Sequence, residues 1–263
     1  MSQEAEIYTK VQSSFGPNAH AYTVSKTHAD STILARLVAK VGPRPTDKML
    51  DIGTGAGHTA IAFAPAVASV VALDLTPEML TEVQHNAAAK GINNLSVKLG
   101  PAEALPFTEG EFDIVSCRLT THHFANLPQA VREMGRVLKV GGKLVISDTT
   151  VPLDAELDQQ INEIEILRDP SHVRNYNSSE WRELVEQEAH MQVVDLEANY
   201  YDEGDKLDFD NWTQRLHTTP ANVTKLRQIF QQASPALQSA LQIEINGDKI
   251  DFALPRITLV AVK

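Results

Sequence analysis

Short apolar runs alternate with amphipathic stretches between residue 48 and about residue 150. Runs of this length are typical of buried strands, and the stretches between them have helical spacing, so the pattern predicts a parallel sheet with helices on both faces. The predicted strands are Lys48–Ile52, Ser69–Leu73, Leu95–Leu99, Phe112–Arg118 and Lys143–Asp148. The predicted helices are Thr59–Ala64, a segment from Thr76 to about Lys90, and Pro128–Leu138, which Gly141-Gly142 is expected to close.

The pattern becomes less regular after residue 150. It predicts helices at Asp154–Leu167, Ser179–Glu188, Phe209–Leu216, Pro220–Gln231 and Pro235–Leu241, and strands at Gln192–Tyr201 and Ile257–Val262. Asn246-Gly247 is typical of a hairpin turn. Residues 1–45 carry mixed helical patterns and end in the breaker Gly42-Pro43-Arg44-Pro45. A regular half followed by a longer, irregular half with a terminal hairpin is consistent with a ligand-binding core that carries a cap.

Size and charge narrow the functional class. A chain of 263 residues, 43% of them hydrophobic, is large enough for one well-packed domain. Its formal net charge of −11 disfavours nucleic acid as a partner, because phosphate backbones are repelled. The single cysteine, Cys117, allows no internal disulfide, the first ten residues are too polar for a secretory signal, and no apolar run reaches transmembrane length. We therefore expect a soluble, cytoplasmic protein without a membrane span.

The most informative segment is Met49-Leu50-Asp51-Ile52-Gly53-Thr54-Gly55-Ala56-Gly57-His58, in which an apolar strand ends at an acidic residue and opens into alternating glycines. Glycine tolerates positive φ and lets the backbone approach a ligand, as in nucleotide-binding α/β sheets. Gly55 to Ala60 also fits the looser dinucleotide fingerprint, so the glycines alone leave NAD and S-adenosylmethionine (SAM) both open. Asp51 favours SAM, because a carboxylate beside the loop repels pyrophosphate and attracts an ammonium group.

Asp74 ends the second predicted strand, where an acidic side chain can accept hydrogen bonds from both hydroxyls of a ribose. Both SAM and NAD carry such a ribose, so Asp74 supports a nucleotide-like ligand without distinguishing the two. Capping of the following helix is a simpler role for Asp74, although Thr76 itself offers a cap.

Five ordered motifs resemble those of the class I SAM-dependent methyltransferases. They are Asp51 to Gly57, Asp74, Gly100 to Phe107, Phe112 to Ser116, and Val137 to Leu144. The sequence is similar to the type 11 group, which includes the ubiquinone/menaquinone-biosynthesis C-methyltransferases. Arg118 to Phe124 and Leu167 to Arg174 also resemble segments of small bacterial methyltransferases without a settled substrate.

The resemblance implies a doubly wound α/β fold. The expected sheet is Rossmann-like, mostly parallel and seven-stranded, with an antiparallel C-terminal strand and a helical cap. One continuous domain would consist of an N-terminal helical lid (1–45), a SAM-binding core (46–150) and a C-terminal half of the sheet with helical cap insertions (151–263).

The resemblance also implies a set of cofactor-binding residues, which are Asp51, Gly53, Thr54, Gly55, Gly57, Asp74, Leu75, Met79, Ala102, Glu103 and Cys117. In the family pattern the glycine loop holds the methionine part of SAM, and Asp74 holds the ribose. Leu75 and Met79 would lie against the adenine, the Ala102 backbone would meet the edge of that ring, and Cys117 would lie beside the methionine part.

Pro101 departs from the family pattern, which usually has Asp at this position. Proline has neither a carboxylate nor a backbone donor, so the usual contact to the adenine amino group is lost. Glu103 is the candidate to replace it.

The adjacent histidines His122 and His123 follow the fourth predicted strand, at the edge where such sheets bind ligands. Either could act as a general base, which the reaction needs only if the acceptor loses a proton. Either could instead point inward and bond a backbone carbonyl. With no cysteine or acidic partner at ligand spacing, the pair gives no metal signature.

Further candidates for substrate or lid contact are Tyr22, His28, Arg118, Asp148, His172 and Arg174. Arginine and histidine in the segment from Arg168 to Arg174 could meet an anionic acceptor. Phe15 and Tyr22 occupy a stretch that folds over SAM in related enzymes. Each candidate also has a plain structural role open to it, such as an ion pair, a cap or helix docking.

We therefore expect a SAM-dependent methyltransferase that acts on a small molecule, with S-adenosylhomocysteine as the second product. C-, O- and N-methylation all fit the sequence, as do a monomer and a homodimer. One alternative is an NAD(P)-dependent oxidoreductase, which the looser glycine fingerprint supports. The other is a SAM-binding protein without transferase activity.

Overall fold

The computed structural model describes residues 2–23, 25, 29–202 and 206–263. Its strands are β1 (Lys48–Ile52), β2 (Ser69–Asp74), β3 (Leu95–Leu99), β4 (Phe112–Arg118), β5 (Leu138–Thr149), β6 (Gln192–Tyr200), β7 (Leu207–Asp208), β8 (Glu244–Asn246), β9 (Lys249–Phe252) and β10 (Arg256–Val262). Its helices are α1 (Gln3–Phe15), α2 (Ala19–Thr23), α3 (Ser31–Val41), α4 (His58–Phe63), α5 (Pro77–Ala89), α6 (Leu127–Val137), α7 (Ala155–Arg168), α8 (Ser178–Glu183), α9 (Phe209–Gln214), α10 (Pro220–Gln231) and α11 (Pro235–Ala240).

Seven strands form one sheet in the order β3-β2-β1-β4-β5-β10-β6. Strands β1 to β5 pair in parallel, and β10 runs antiparallel between β5 and β6. This sheet confirms the predicted fold class, including its antiparallel C-terminal strand. The strand order reverses between β1 and β4, so the loops at their carboxyl ends diverge and leave a crevice, which is where sheets of this kind bind ligands.

Burial on both faces explains the continuous apolar runs. Met49 and Leu50 are neighbours in β1, so their side chains point to opposite faces, and neither is exposed to solvent. Leu50 packs in a cluster with β4, β5 and α6, whereas Met49 packs in a second cluster with α3 and α4. Both faces of the central strands are therefore core, as expected for a parallel sheet covered by helices.

The predicted role of Gly141-Gly142 is wrong. Helix α6 ends at Val137, Leu138 is already extended, and the two glycines lie inside β5. Pairing with the chain end holds them there, because Gly141 N donates to the Lys263 carbonyl and Lys263 N donates to the Gly142 carbonyl. The pairing of β5 with β4 shifts in register at these glycines. The observed strand, Leu138–Thr149, is therefore longer than the predicted strand Lys143–Asp148.

The cap consists mainly of α7 and α9 to α11 around a second sheet of order β7-β9-β8. The four helices of the cap were predicted, whereas of its sheet only the hairpin at Asn246-Gly247 was predicted. The core of the cap contains an aromatic cluster, in which the Trp212 and Phe252 ring centroids are 5.0 Å apart and those of Phe230 and Phe252 are 4.9 Å apart. Edge-to-face packing of aromatic rings stabilises the core of the cap beyond the apolar area that it buries.

The N-terminal helices lie over the carboxyl edge of the main sheet. The Tyr8 hydroxyl donates to Glu103 Oε2 at 2.9 Å, and Gln12 Nε2 donates to the Leu75 carbonyl at 2.9 Å. The Thr23 hydroxyl donates to Glu82 Oε2 at 2.8 Å. These bonds attach α1 to the loops after β2 and β3, and α2 to helix α5. Across the described ranges, no helix combines the length and hydropathy needed to cross a membrane.

Candidate active site

Two connected spaces lie at the carboxyl edge, beneath α1. The first, here the loop cavity, has a larger lobe of about 630 Å³ at the glycine turn and a smaller lobe of about 410 Å³ at the β3–β4 connection. Five residues line both lobes: Val11, Gly53, Asp74, Thr120 and His123. The second, here the cap cavity, measures about 570 Å³ and lies between the core and α7 and α9. Phe15, Tyr22 and Leu119 line both cavities, so the two spaces adjoin.

The glycine turn has the backbone geometry that its sequence predicts. Gly53, Gly55 and Gly57 all have positive φ, at 61°, 54° and 86°. A Cβ at Gly53 would lie 2.4 Å from Thr120 Oγ1, whereas a Cβ at Gly55 would meet nothing within 4 Å. Gly53 therefore lets two loops approach each other, and Gly55 leaves the floor of the loop cavity open to a ligand.

Gly57 does not line the loop cavity with the other two glycines. A Cβ at Gly57 would meet the side chain of Val83, in α5, at 3.0 Å. Its role is to let the turn pack closely on α5.

Asp51 lies beneath the turn and outside the described lining of either cavity. Its side chain is only 1% exposed, with Oδ1 accepting from Ser116 Oγ at 2.5 Å and Oδ2 from Thr54 Oγ1 at 2.6 Å. Burial raises the pKa of Asp51 to about 6, although both hydrogen bonds favour the charged form. In this structure Asp51 orders the turn through Thr54, and a direct contact to an ammonium group stays a prediction.

Asp74 lines both lobes and joins the turn to α5. Its Oδ2 accepts from Gly55 N at 2.8 Å and its Oδ1 from Thr76 N at 2.9 Å. The Thr76 side chain makes no capping bond to α5. Asp74 instead binds the backbone N–H of Thr76, so it has part of the capping role that the sequence left open. A carboxylate has about four lone-pair sites, so each oxygen retains acceptor capacity toward the cavity.

The smaller lobe contains most of the predicted adenine contacts. Leu75, Ala102 and Glu103 line it, whereas Met79 lines the larger lobe beside the turn. Glu103 Oε2 accepts from the Tyr8 hydroxyl, and Oε1 accepts from Asn126 N at 3.2 Å. Glu103 therefore connects α1 to the wall of the smaller lobe. Its use as the replacement for the missing Asp at 101 stays a prediction.

Cys117 and Arg118 are neighbours at the end of β4 with different surroundings. Cys117 packs in the hydrophobic core with Leu50 and Ile52 and does not line either cavity. Burial raises its pKa well above the usual value, and nearby carboxylates add to that shift. Arg118 lines the loop cavity, and burial, together with Arg256, lowers its pKa to about 10.

The two adjacent histidines face different cavities. His123 lines both lobes of the loop cavity, lies with its ring centroid 4.8 Å from that of Phe15, and bonds the Ser171 carbonyl through Nδ1 at 3.0 Å. Burial and the neighbouring His122 lower its pKa to about 4. His122 lines the cap cavity instead. His123 therefore makes the inward backbone contact considered for either residue, and only His122 has the surroundings of a base.

Asp148 fixes the orientation of His122. His122 Nδ1 lies 2.8 Å from Asp148 Oδ1, and Asp148 Oδ2 accepts from Thr120 N, Thr121 N and Thr121 Oγ1. Asp148 is 1% exposed and lines neither cavity, which corrects its prediction as a residue that contacts substrate. Burial alone would lower the pKa of His122, but the charge and hydrogen bond of Asp148 raise it. Because Nδ1 is taken by Asp148, Nε2 is the ring nitrogen left for a ligand.

Two other candidates for substrate contact point away from both cavities. His172 is buried behind His122, with its Nε2 3.2 Å from Asn162 Oδ1, and burial lowers its pKa. Arg174 pairs with Asp158 and Glu180, each at 2.8 Å, and stacks on Tyr176. Their predicted contact with an acceptor is therefore not seen. Tyr22 lines both cavities, and His28 lies outside the described residues.

Known proteins with similar sequences and structures show the family of this chain. A methyltransferase-domain family model matches residues 50–146. The uncharacterized methyltransferase YcgJ of Bacillus subtilis (strain 168) is 35% identical over 256 residues, which span 95% of this chain and 97% of YcgJ. The YcgJ crystal structure has a TM-score of 0.80 at 33% identity and covers 88% of this chain and 97% of its own. The chain belongs to the class I methyltransferases.

Two further relatives agree with this assignment to the methyltransferase family. The structure of BH2331 from Bacillus halodurans C-125 has a TM-score of 0.83 at 31% identity, over 89% of this chain and 99% of BH2331. The ubiquinone/menaquinone biosynthesis C-methyltransferase UbiE of Geobacter sp. (strain M21) is 32% identical over 119 residues. That match spans 44% of this methyltransferase and 51% of UbiE.

Several lining residues of this methyltransferase were not predicted. Tyr8 and Val11 lie one helical turn apart on α1, and that spacing alone places them on one face of the helix. Glu165 and Arg168 have the same spacing at the end of α7 and line the cap cavity. The segment from Arg168 to Arg174 was considered for an anionic acceptor, but the structure brings Arg168 to the cavity and leaves Arg174 outside. Among the described residues, no cluster of His, Cys, Asp or Glu has metal-binding geometry.

Proposed function

We propose that this methyltransferase transfers a methyl group from SAM, bound in the loop cavity, to a small molecule bound in the cap cavity. The observation that carries the proposal is the junction of the two cavities at Phe15, Tyr22 and Leu119. Bound SAM supplies a methyl group on a sulfonium, which is already an activated leaving group. The protein then needs mainly to align the acceptor and to exclude water.

The loop cavity fits SAM in its chemistry. Gly55 leaves the turn open, Asp74 retains acceptor capacity for ribose hydroxyls, and Leu75 and Ala102 offer apolar surface in the smaller lobe. Arg118 lines the larger lobe, where it offers a partner for a carboxylate. The N-terminal lid, fastened through Tyr8 and Gln12, covers the cavity and limits the access of water.

His122 is the proposed general base. Asp148 holds its Nδ1, so that Nε2 is presented to the cap cavity, where an acceptor that must lose a proton would bind. The raised pKa of His122 increases its strength as a base near neutral pH. This role applies to an enol, a phenol or an activated carbon, each of which is a nucleophile only after deprotonation.

Calorimetric titration with SAM, S-adenosylhomocysteine and NAD tests the donor. We expect both SAM and S-adenosylhomocysteine to bind and NAD to bind far more weakly. Binding of NAD without SAM would support the nicotinamide-dependent alternative and contradict the proposal. Turnover against a panel of phenols, enols and amines separates a transferase from a SAM-binding protein without transferase activity.

Replacing Asp74 with asparagine should weaken S-adenosylhomocysteine binding about tenfold. The amide removes the charge and one acceptor oxygen, and a charge-assisted hydrogen bond contributes about 1.5–3 kcal/mol. Calorimetry gives the dissociation constant. The matched control is Asp154→Asn, because Asp154 is an exposed cap of α7 and asparagine caps equally well. Equal affinity in both variants would argue against the ribose contact.

A further inference from the structure

The charged groups that line the cap cavity are mostly positive. Three of them are arginines from separate parts of the chain: Arg168 at the end of α7, Arg215 after α9 and Arg256 at the start of β10. Glu165 is the one carboxylate in the described lining. The whole chain has a formal net charge of −11, so a group of three arginines in one cavity contrasts with the negative charge of the protein as a whole.

Arg168 is held with its guanidinium inside the cavity. Its Nε donates to the Trp212 carbonyl at 3.3 Å, and the guanidinium carbon lies 5.0 Å from the centre of the Trp212 ring. In the described part of the chain, no carboxylate lies within 4.0 Å of the Arg168 guanidinium. Stacking on a buried tryptophan fixes the plane of the guanidinium, and a fixed plane favours bidentate binding of an oxyanion.

The arginine charges act on neighbours across the cavity. Burial raises the pKa of Tyr22, and the charges of Arg168 and Arg215 oppose that shift. Burial also raises the pKa of Glu165, against the charges of Arg168 and Arg256. All three arginines line the same cavity, so one ligand in that cavity can reach each of them.

Apart from Thr149, the other described residues that line the cap cavity are apolar or aromatic. Trp212, Leu207 and Leu254 form the cap wall, and Phe15 and Leu119 line the junction with the loop cavity. A ligand that fills this space therefore needs an apolar body with a charged end. The charged end lies among the arginines, and the body extends toward His122 and the glycine turn.

We propose that the methyl acceptor is an organic oxyanion, a carboxylate or a phosphate monoester, whose anionic group binds between Arg168, Arg215 and Arg256. This inference rests on the proposed function, because it assigns the cap cavity to the acceptor. Anchoring one end of the acceptor would align its reacting atom at the Phe15–Leu119 junction. The acceptor would carry its nucleophilic atom on the apolar body, away from the anionic group.

The test compares three small aromatic probes: benzoate, phenyl phosphate and the uncharged benzyl alcohol. Each is titrated at low ionic strength into the full-length protein, with and without S-adenosylhomocysteine. We expect at least one anionic probe to bind at least about tenfold more tightly than benzyl alcohol, and salt to weaken that binding. Preference for benzoate identifies a carboxylate acceptor, and preference for phenyl phosphate identifies a phosphate monoester.

Three arginine variants locate the binding. Arg168→Gln and Arg215→Gln should each lower the affinity for the preferred anion about tenfold, and Arg168→Lys should retain part of it because the charge remains. The matched control is Arg182→Gln, which removes an exposed arginine of α8 that pairs with Glu186 and should leave the affinity unchanged. If Arg168→Gln does not fold, Arg215→Gln still decides the question.

The two proposals fail in different ways. Equal binding of benzyl alcohol and both anions, or unchanged anion affinity in Arg168→Gln and Arg215→Gln, would overturn the oxyanion inference even if S-adenosylhomocysteine binds. If the wild-type protein does not bind S-adenosylhomocysteine, that result would instead contradict the proposed function. The titrations without S-adenosylhomocysteine decide the anion question in either case.

Discussion

Replacing Gly53 with alanine should destabilise the protein by about 2–5 kcal/mol and lower its affinity for S-adenosylhomocysteine at least tenfold. A non-glycine residue at φ 61° costs about 1–2 kcal/mol, and overpacking adds about 1–3 kcal/mol. The new Cβ would lie 2.4 Å from Oγ1 and 3.0 Å from Cβ of Thr120, so rotating the threonine does not remove the clash. Asp148 holds Thr120 N at 3.1 Å, which resists a shift of the backbone. Urea denaturation and calorimetry measure the two effects.

Two variants separate the clash from the backbone cost. Gly91 has φ 67°, and a Cβ added there would meet no atom within 4 Å, so Gly91→Ala should cost only about 1–2 kcal/mol and leave binding intact. The double variant Gly53→Ala/Thr120→Gly should be less destabilised than the sum of its single variants, because the two changes relieve one contact. The explanation fails if Gly53→Ala matches Gly91→Ala in both stability and binding.

The fold could be predicted where local patterning and tertiary burial agree. Strand β4 has apolar residues on both faces, because Val115 packs in one core cluster and Ile114 in the other, and the sequence predicts its bounds. The start of β5 could not be predicted, because its first residues are held by the chain end, more than a hundred residues away. Pairing of Gly141 and Gly142 with Lys263 outweighs the local tendency of two glycines to end a helix.

The residues of the loop cavity could be predicted better than those of the cap cavity, because the loop cavity is built from local motifs. Gly53, Gly55 and Asp74 belong to short motifs that place them at one edge of the sheet. Arg168, Arg215 and Arg256 meet only through folding of the cap, so no sequence spacing connects them.

The sequence also does not predict the direction in which a side chain points. Asp148 stands at the correct edge of the sheet, but the backbone amides of Thr120 and Thr121 draw its carboxylate inward. A residue's position along a strand therefore predicts its neighbourhood, whereas competing hydrogen-bond donors decide which way its side chain faces.

Replacing His122 with glutamine should lower kcat about 10²–10⁴-fold for acceptors that must lose a proton, while S-adenosylhomocysteine affinity stays within about twofold. The residue lines the cap cavity and not the loop cavity, which is why the two effects should separate. Stability should change in a pH-dependent way. The folded-state pKa of His122 is raised by Asp148, so its contribution to stability is complete below the unfolded value of about 6.5 and is lost as pH rises through the folded value.

The wild-type protein should therefore exceed His122→Gln in stability by more at pH 5.5 than at pH 9. Asp148 stays ionised at both pH values, because its pKa is lowered by His122 and by its hydrogen bonds despite burial. Urea denaturation at each pH measures the difference, and NMR titration of the His122 ring follows its protonation. The control is His20→Gln, since His20 pairs with Glu82 on the surface and its side chain is 81% exposed. That variant should change stability by less than about 1 kcal/mol at either pH. An equal stability difference for His122→Gln at both pH values would show that Asp148 does not raise the His122 pKa, and an unchanged kcat would remove His122 as the base.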